Sequence, residues 1–218
     1  YLKAMIASSI DVIELGFRSL PKKTFMGPYF YTTDDFINDL NLPEGPIYGV
    51  MINGKDFIKN SKVPRNTIDK LFQKKENSLI SLVRIAVNFK DITKSELIAK
   101  QLKNMGYMVG LNMMQAHGKS EKVYVETAEI IASWNVIDVL YFADSLGNMN
   151  PVNVKDICNS IKKGCSLPLG IHTHNNKSLG LINSITAVEN GITWCDSTIT
   201  GMGRGAGNTT TESLILEM

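Results

Sequence analysis

His172 and His174 close an apolar segment that begins Leu169-Gly170-Ile171 and are separated by one residue, Thr173. On an extended strand, side chains at i and i+2 point to the same face, so the two imidazoles aim together. Two neutral imidazoles on one rigid face form a bidentate grip for a divalent cation. The same spacing also suits polar, hydrogen-bonded filling inside a barrel, and spacing alone leaves the two readings level. Two imidazoles do not complete a metal site, so an oxygen ligand must come from another segment. One candidate lies downstream, where Asp196-Ser197-Thr198-Ile199-Thr200 runs into Gly201-Met202-Gly203-Arg204-Gly205-Ala206-Gly207-Asn208. Glycine at every second position from Gly201 to Gly207 permits positive φ and close approach of backbone N–H groups to a ligand. Gly203 and Gly205 are therefore candidate substrate contacts, and Asn208 offers an amide oxygen. Gly201-x-Gly203-x-x-Ala206 also fits a dinucleotide fingerprint loosely. That motif normally follows the first strand of its domain and is answered by an acidic residue ~20 positions on, whereas here it follows the last strand.

Other ionisable groups carry weaker signals. Glu14 and Arg18 flank the end of the run Val12–Phe17. Arg18 reads either as a bidentate receptor for a substrate carboxylate or phosphate or as one half of a loop salt bridge. Arg84 lies within the apolar run Leu79–Val87. A charge inside a barrel must be paired, so an acid such as Glu14 or Asp144 is expected beside it. Asp144 ends the run Val139–Asp144 and Asp196 lies early on the last one, and either could orient a ligating imidazole. His117, in Gln115-Ala116-His117-Gly118, sits on a loop and reads as a proton shuttle or as an exposed loop residue. Lys119 and Lys177 lie outside apolar strand interiors, where desolvation would lower an amine pKa for Schiff-base chemistry.

The elements that must position these residues alternate along the whole chain. Candidate strands are Val12–Phe17, Ile47–Ile52, Leu79–Val87, Met108–Met114, Val139–Asp144, Leu169–His174 and Cys195–Thr200. Between them, apolar residues recur at helical spacing, as in Phe36/Leu40, Ile68/Leu71/Phe72, Leu97/Ile98/Leu102, Val125/Ala128/Ile131, Val154/Ile157/Ile161 and Leu181/Ile185/Val188. Asp91 and Thr93 are placed to cap the helix containing Leu97, and Asn150-Pro151 to open the one containing Ile157. The polar stretch Lys55–Arg65 reads as a longer loop. Strict alternation predicts a parallel α/β sheet, closed into a (β/α)8 barrel or open and doubly wound. A single domain over residues 1–218 is expected.

Composition excludes several classes of function. A net charge of +2 over 218 residues leaves no concentrated basic face for nucleic acid. The pairs Lys22-Lys23, Lys74-Lys75 and Lys162-Lys163 are dispersed between apolar segments. Cys158, Cys165 and Cys195 make neither a disulfide set nor a metal-spaced pair, which suits a reducing, cytoplasmic compartment. No apolar run approaches the ~18 residues of a membrane span. The opening residues, Tyr1-Leu2-Lys3-Ala4-Met5-Ile6, read as the inside of a helix without a cap. The numbering is therefore expected to begin within a longer protein.

Gly170–Asn176, then Ser178-Leu179-Gly180-Leu181-Ile182-Asn183-Ser184, then Gly201-Met202-Gly203, Gly207-Asn208 and Glu212 together resemble the metallolyase superfamily of TIM barrels. This is the HMG-CoA lyase-like, pyruvate carboxyltransferase-type group. It includes 4-hydroxy-2-oxovalerate aldolase, hydroxymethylglutaryl-CoA lyase, and the isopropylmalate and homocitrate synthases. Arg84-Ile85-Ala86, Gly110-Leu111-Asn112-Met113-Met114 and Tyr141-Phe142-Ala143-Asp144-Ser145-x-Gly147 resemble the fourth, fifth and sixth strands of its aldolase branch. The resemblance implies a barrel whose strands 2–8 lie in this chain, with the first strand before Tyr1 and most of the last helix after Met218. It implies a divalent metal, Mn²⁺ favoured over Mg²⁺ or Zn²⁺, on His172, His174 and Asn208. The family's Arg-Asp pair, which supplies an electrophilic Arg and a further Asp ligand, would then lie on the strand outside this chain. Its activity would be aldol cleavage or formation of a 4-hydroxy-2-oxo acid from pyruvate and an aldehyde. The rivals are an acyl-CoA-dependent Claisen condensation, as in isopropylmalate synthase, and a non-catalytic metal- or metabolite-binding barrel. A homo-oligomer and an aldehyde dehydrogenase partner are further implications. A metal hydrolase of the amidohydrolase type would carry its His-x-His on the first strand, not near the end.

Overall fold

A computed structural model describes residues 1–58 and 67–218. Its seven strands follow chain order in one hydrogen-bonded sheet. They are β1 (Val12–Phe17), β2 (Ile47–Asn53), β3 (Leu82–Asn88), β4 (Met108–Met114), β5 (Val139–Asp144), β6 (Leu169–Thr173) and β7 (Trp194–Cys195). Pairing is parallel between β1 and β2, β2 and β3, β5 and β6, and β6 and β7. A doubly wound sheet reverses its strand order at a switch point. Unbroken chain order with intervening helices is the order of a (β/α)8 barrel, and the seven-stranded sheet is a truncated form of that fold.

The chain divides into two compact units, Tyr1–Val87 with Lys94–Gly110, and Asn88–Thr93 with Leu111–Met218. In the first, helices α1 (Leu2–Ala7), α2 (Pro28–Tyr31), α3 (Asp34–Asn38), α4 (Gly54–Phe57) and α5 (Glu96–Asn104) accompany β1, β2 and most of β3. β2 and β3 bury nearly every residue on both faces, the continuous apolar pattern of strands covered on both sides. Gly49 lets β2 approach β3, since a Cβ there would lie 3.2 Å from the Leu82 carbonyl oxygen. α5 turns Ile98, Ala99 and Leu102 inward.

The second unit carries α6 (Glu121–Ser133), β5, α7 (Pro151–Gly164), β6, α8 (Gly180–Glu189), β7 and α9 (Thr211–Glu217). Asn150 opens α7 as expected. Its side chain accepts from the Asn153 N–H, Asn153 answers reciprocally, and Pro151 takes the first turn, where a missing N–H costs nothing. α7 buries Val154, Ile157, Cys158 and Ile161. It packs on α6 at Gly164, where a Cβ would fall 2.3 Å from the Val125 carbonyl.

Four expectations differ in detail. Asp91 and Thr93 do not cap the helix containing Leu97; they lie in a 3-10 segment, Phe89–Ser95, and α5 starts after Ser95 without a side-chain cap. The run Cys195–Thr200 pairs as a strand only at Trp194–Cys195. The Asp196 N–H makes a further bond to Ile171 O at 3.0 Å, and Thr198 then turns to bond with Thr209 and Thr211. The β-branched run found its partner in the segment beyond the glycine loop, not in its neighbouring strand. The Ile68/Leu71/Phe72 pattern forms a hydrogen-bonded turn, with Leu71 and Phe72 N–H both bonded to Ile68 O, and not a full helix. Lys55–Phe57 belong to α4, whereas most of the remaining loop expected up to Arg65 lies outside the described residues. Among the described residues no helix is long and apolar enough to cross a membrane.

Candidate functional site

β6 brings the His pair to the end of a strand whose other face is sealed. Ile171 and Thr173 are buried, while His172 and His174, on the alternate face, are half-buried. Gly170 is required beneath them, because a Cβ there would lie 2.4 Å from the Tyr141 ring. The two imidazoles stand edge to face with centroids 5.2 Å apart. His172 Nδ1 faces Asp196 Oδ2 at 2.8 Å, with 21% and 17% of the two side chains exposed. A carboxylate at Nδ1 fixes the ring's rotation and favours the tautomer that leaves the Nε2 lone pair free. Burial holds the His174 pKa below the ordinary imidazole value, the nearby His172 and Arg204 lower it further, and Asp144 opposes them. A neutral imidazole is the ligand-competent form.

The glycine loop is tied back onto these histidines. His174 and Asn208 form an antiparallel bridge, and the Asn175 N–H donates to Gly207 O at 2.9 Å. Below them, Thr173 Oγ1 bonds Thr209 Oγ1 at 2.6 Å and Ser184 Oγ at 3.1 Å, a buried hydroxyl cluster joining β6, α8 and the end of the loop. Glu212 closes the far side by accepting the Thr200 N–H with both oxygens at 3.0 Å. This holds Thr200 at φ 55. Asn208 donates from Nδ2 to Met202 O at 3.2 Å, while its Oδ1 is buried without a hydrogen-bond partner. An orphaned buried acceptor costs about 1–3 kcal/mol, so its presence beside two imidazoles marks a place where a donor or cation belongs. Gly203 makes room for that amide, since a Cβ there would sit 2.9 Å from the Asn208 side chain.

Asp144 is buried and accepts the Asn148 and Met149 N–H groups at 3.0 and 3.1 Å. His117 Nδ1 contacts Asn148 Oδ1 at 3.1 Å, and Lys177 Nζ donates to Asn148 O at 2.9 Å. His117 therefore joins the loop after β5, not the His pair directly. Gly205 would bring a Cβ to 3.5 Å from Asn176 Nδ2, and Gly147 lies against the same asparagine, so the loops following β5, β6 and β7 meet at Asn176. Among the described residues no three His, Cys, Asp or Glu side chains cluster with metal-binding geometry. The groups that the fold brings to this end of β6 are the two imidazoles and, through the bridge to His174, Asn208.

In the first unit, Arg18 is committed to its own loop. It is 1% exposed, grips Asp34 with NH1 and NH2 at 3.2 and 3.0 Å, and donates from Nε to Thr32 O at 2.9 Å. Its guanidinium also lies 4.8 Å from the centre of the Phe72 ring. Asp34 in turn accepts from Ser78 Oγ at 2.6 Å. Arg84 pairs with Glu14 at 3.4 Å.

Sequence reasoning did not single out Arg204, Asn176 or the Thr173–Ser184–Thr209 cluster. Arg204 was the visible one, as the lone charge between Gly201 and Gly207. The hydroxyl cluster had no sequence signal, because its members come from three separate segments.

A family model described as HMGL-like matches residues 77–218. The chain is 35% identical over 134 residues to a 4-hydroxy-2-oxovalerate aldolase of Carboxydothermus hydrogenoformans, covering 62% of this chain and 40% of that protein. It is 34% identical over 146 residues to the enzyme of the same name from Geobacillus genomosp. 3, covering 67% and 43%. The matched region thus spans about two fifths of the length of these relatives. Among solved structures, the N-terminal domain of a putative aldolase from Bacteroides vulgatus superposes with a TM-score of 0.83 at 31% identity, over 99% of this chain and 72% of that one. The HMG-CoA lyase of Bacillus subtilis superposes at 0.72 and 15% identity, over 97% and 74%, a likeness of fold.

Proposed function

The chain belongs to the HMGL-like family, and from that premise we propose that it carries most of the barrel of a divalent-metal-dependent aldolase. The substrate would be a 4-hydroxy-2-oxo acid, cleaved to or formed from pyruvate and an aldehyde. The observation that carries the reading is the convergence of His172, His174 and the partnerless Asn208 Oδ1 on the loop end of β6. These are ligands of the kind that Mn²⁺, Mg²⁺ or Zn²⁺ accept, with Mn²⁺ favoured for a mixed imidazole and oxygen set. When bound, such a cation supplies a Lewis acid for the 2-oxo group as the C3–C4 bond breaks, the 4-hydroxyl gives up its proton, and C3 gains one.

The protein's own groups have separable tasks in this proposal. Asp196 holds the His172 ring, and burial keeps His174 neutral. The glycine loop presents Asn208, with Gly203 leaving space for its amide. Asp144 holds the loop after β5 in shape through the Asn148 and Met149 N–H groups. His117, fixed against Asn148 on that loop, is the proposed proton carrier. Arg18 supports the loop after β1 through Asp34, and Glu14 with Arg84 makes an internal ion pair.

The test is pyruvate release from 4-hydroxy-2-oxopentanoate by the intact protein, with and without Mn²⁺, in wild type and in H172A and H174A. The expected result is metal-dependent release that both variants abolish. A requirement for acetyl-CoA would replace the reading with a Claisen condensation. Tight metal binding without turnover on either substrate set would replace it with a binding barrel.

A further inference from the structure

We infer that Arg204 is the receptor for an anionic group, a carboxylate or phosphate, on the aldehyde portion of the substrate. This assignment rests on the aldolase reading of the His172–His174 site.

Arg204 is exposed and carries no side-chain hydrogen bond or ion pair among the described residues. The contrast with Arg18 and Arg84 is direct, since both are buried and each has a carboxylate. Its backbone, however, is not free. The Arg204 carbonyl accepts the Gly207 N–H at 3.1 Å, and Gly207 O accepts the Asn175 N–H at 2.9 Å. The residue after it, Gly205, packs toward Asn176, two positions beyond His174. The loop therefore anchors Arg204 beside the segment that leaves the His pair, with its side chain exposed and unpaired among the described residues.

Among the described residues the nearby carboxylates are already engaged. Asp196 is taken by His172, and Asp144 is buried on two backbone N–H groups. A divalent cation on the histidines adds positive charge and makes the imbalance worse. An anion delivered with the substrate relieves it. The carboxylate next to the 2-oxo group is claimed by the cation in the proposed reaction, so the anion left for Arg204 is a second one, on the aldehyde side. Arginine's planar fork matches carboxylate and phosphate oxygens two at a time. Gly203 and Gly205 on either side leave the backbone free to adjust to such a group.

Two measurements test this on the intact protein. The first is kcat/KM for aldol addition of pyruvate to succinic semialdehyde, glyceraldehyde 3-phosphate and propanal, in wild type, R204Q and R204K. The selectivity ratio of an anionic aldehyde over propanal should fall at least about tenfold in R204Q, with R204K between the two because it keeps the charge but loses the fork. Which anionic aldehyde is affected more identifies carboxylate or phosphate. A ratio unchanged within twofold overturns the inference, as does an equal fall for all three aldehydes. The second measurement stands even if no aldehyde is turned over, in which case the aldolase reading itself has failed. Phenylglyoxal labelling of Arg204, mapped by mass spectrometry, should be slowed by succinate or inorganic phosphate and not by neutral butyramide. In that case, equal labelling in all three overturns the anion site.

Discussion

Replacing Asp196 with Asn tests the link between the His172 orientation and metal binding, because it changes charge while keeping shape. In wild type the carboxylate faces His172 Nδ1 at 2.8 Å, and about a fifth of each side chain is exposed. A hydrogen bond to a charged partner contributes about 1.5–3 kcal/mol when sheltered, and partial exposure moves this toward the lower end. Asparagine keeps an oxygen acceptor at the same position, so roughly half of that strength survives. The loss is then about 1–1.5 kcal/mol, or roughly five- to twelvefold in affinity. Asp196→Leu removes the acceptor altogether and should approach the upper end of the 10–100-fold cost typical of losing a ligand's supporting partner, about 100-fold.

The assay is a Mn²⁺ titration followed by electron paramagnetic resonance, which reads bound metal whether or not any substrate is turned over. Thermal unfolding of the metal-free variants serves as the control. The expected order of affinity is wild type, then D196N, then D196L, then H172A. Unfolding midpoints of D196N should stay close to wild type, because asparagine keeps the shape and an oxygen acceptor at that position. Equal Mn²⁺ affinity in wild type and D196L, with H172A clearly weaker, would refute the idea that the carboxylate positions the ring. If H172A bound as well as wild type, the imidazole itself would be no ligand.

Asp34→Ala should destabilise the fold by about 3–5 kcal/mol by chemical denaturation, since it strands the buried Arg18 charge. The double replacement Arg18→Met with Asp34→Leu should recover most of that loss, and a single variant costing under about 1 kcal/mol would contradict the burial argument. Gly203→Ala places a Cβ 2.9 Å from the Asn208 amide at an ordinary backbone angle. It should weaken Mn²⁺ binding about tenfold while leaving the unfolding midpoint nearly unchanged, which a titration paired with a thermal melt will show. Burial pushes the Cys158 and Cys195 thiols up to about 12. At pH 8 their thiolate fraction is on the order of 10⁻⁴, so mass-mapped iodoacetamide labelling of the native protein should fall on Cys165 and reach the other two only after denaturation. The sign of the linked pH effect follows from the raised values. The unfolded thiols ionise first, near pH 9, so the stability they contribute is complete below that pH and is lost as pH climbs toward 12. Denaturant midpoints measured across this range would reveal a contrary trend.

The parts of this site that were legible in the sequence depend on local periodicity, and the parts that were not depend on closure. The i, i+2 spacing of His172 and His174 is enough to put both rings on one face of β6, and the seven β-rich runs are enough to give the strand count and, to within one residue, the boundaries other than the start of β3 and the end of β7. The glycine spacing marked a loop that approaches something closely, and Gly203 and Gly207 do so. The end of β7 was misjudged because Ser197-Thr198-Ile199-Thr200 has strand propensity with no local sign of where its partner lies. Its hydrogen bonds go to Thr209 and Thr211, across the glycine loop. That detour has a consequence for the site. A longer β7 would carry Thr198 onward along the sheet, whereas the turn back draws the loop under Glu212 and sets Asn208 against His174. The same closure decides what the ionisable groups do. Arg18 and Arg204 are both loop arginines in the sequence, yet one is surrounded by Asp34, Thr32 and Phe72 while the other is left to solvent beside the histidines. A charge that the fold neutralises internally stabilises a loop, and a charge that it leaves uncompensated beside a cation site is available to a ligand. Residue type alone does not distinguish these cases, and the inventory of partners around each guanidinium does.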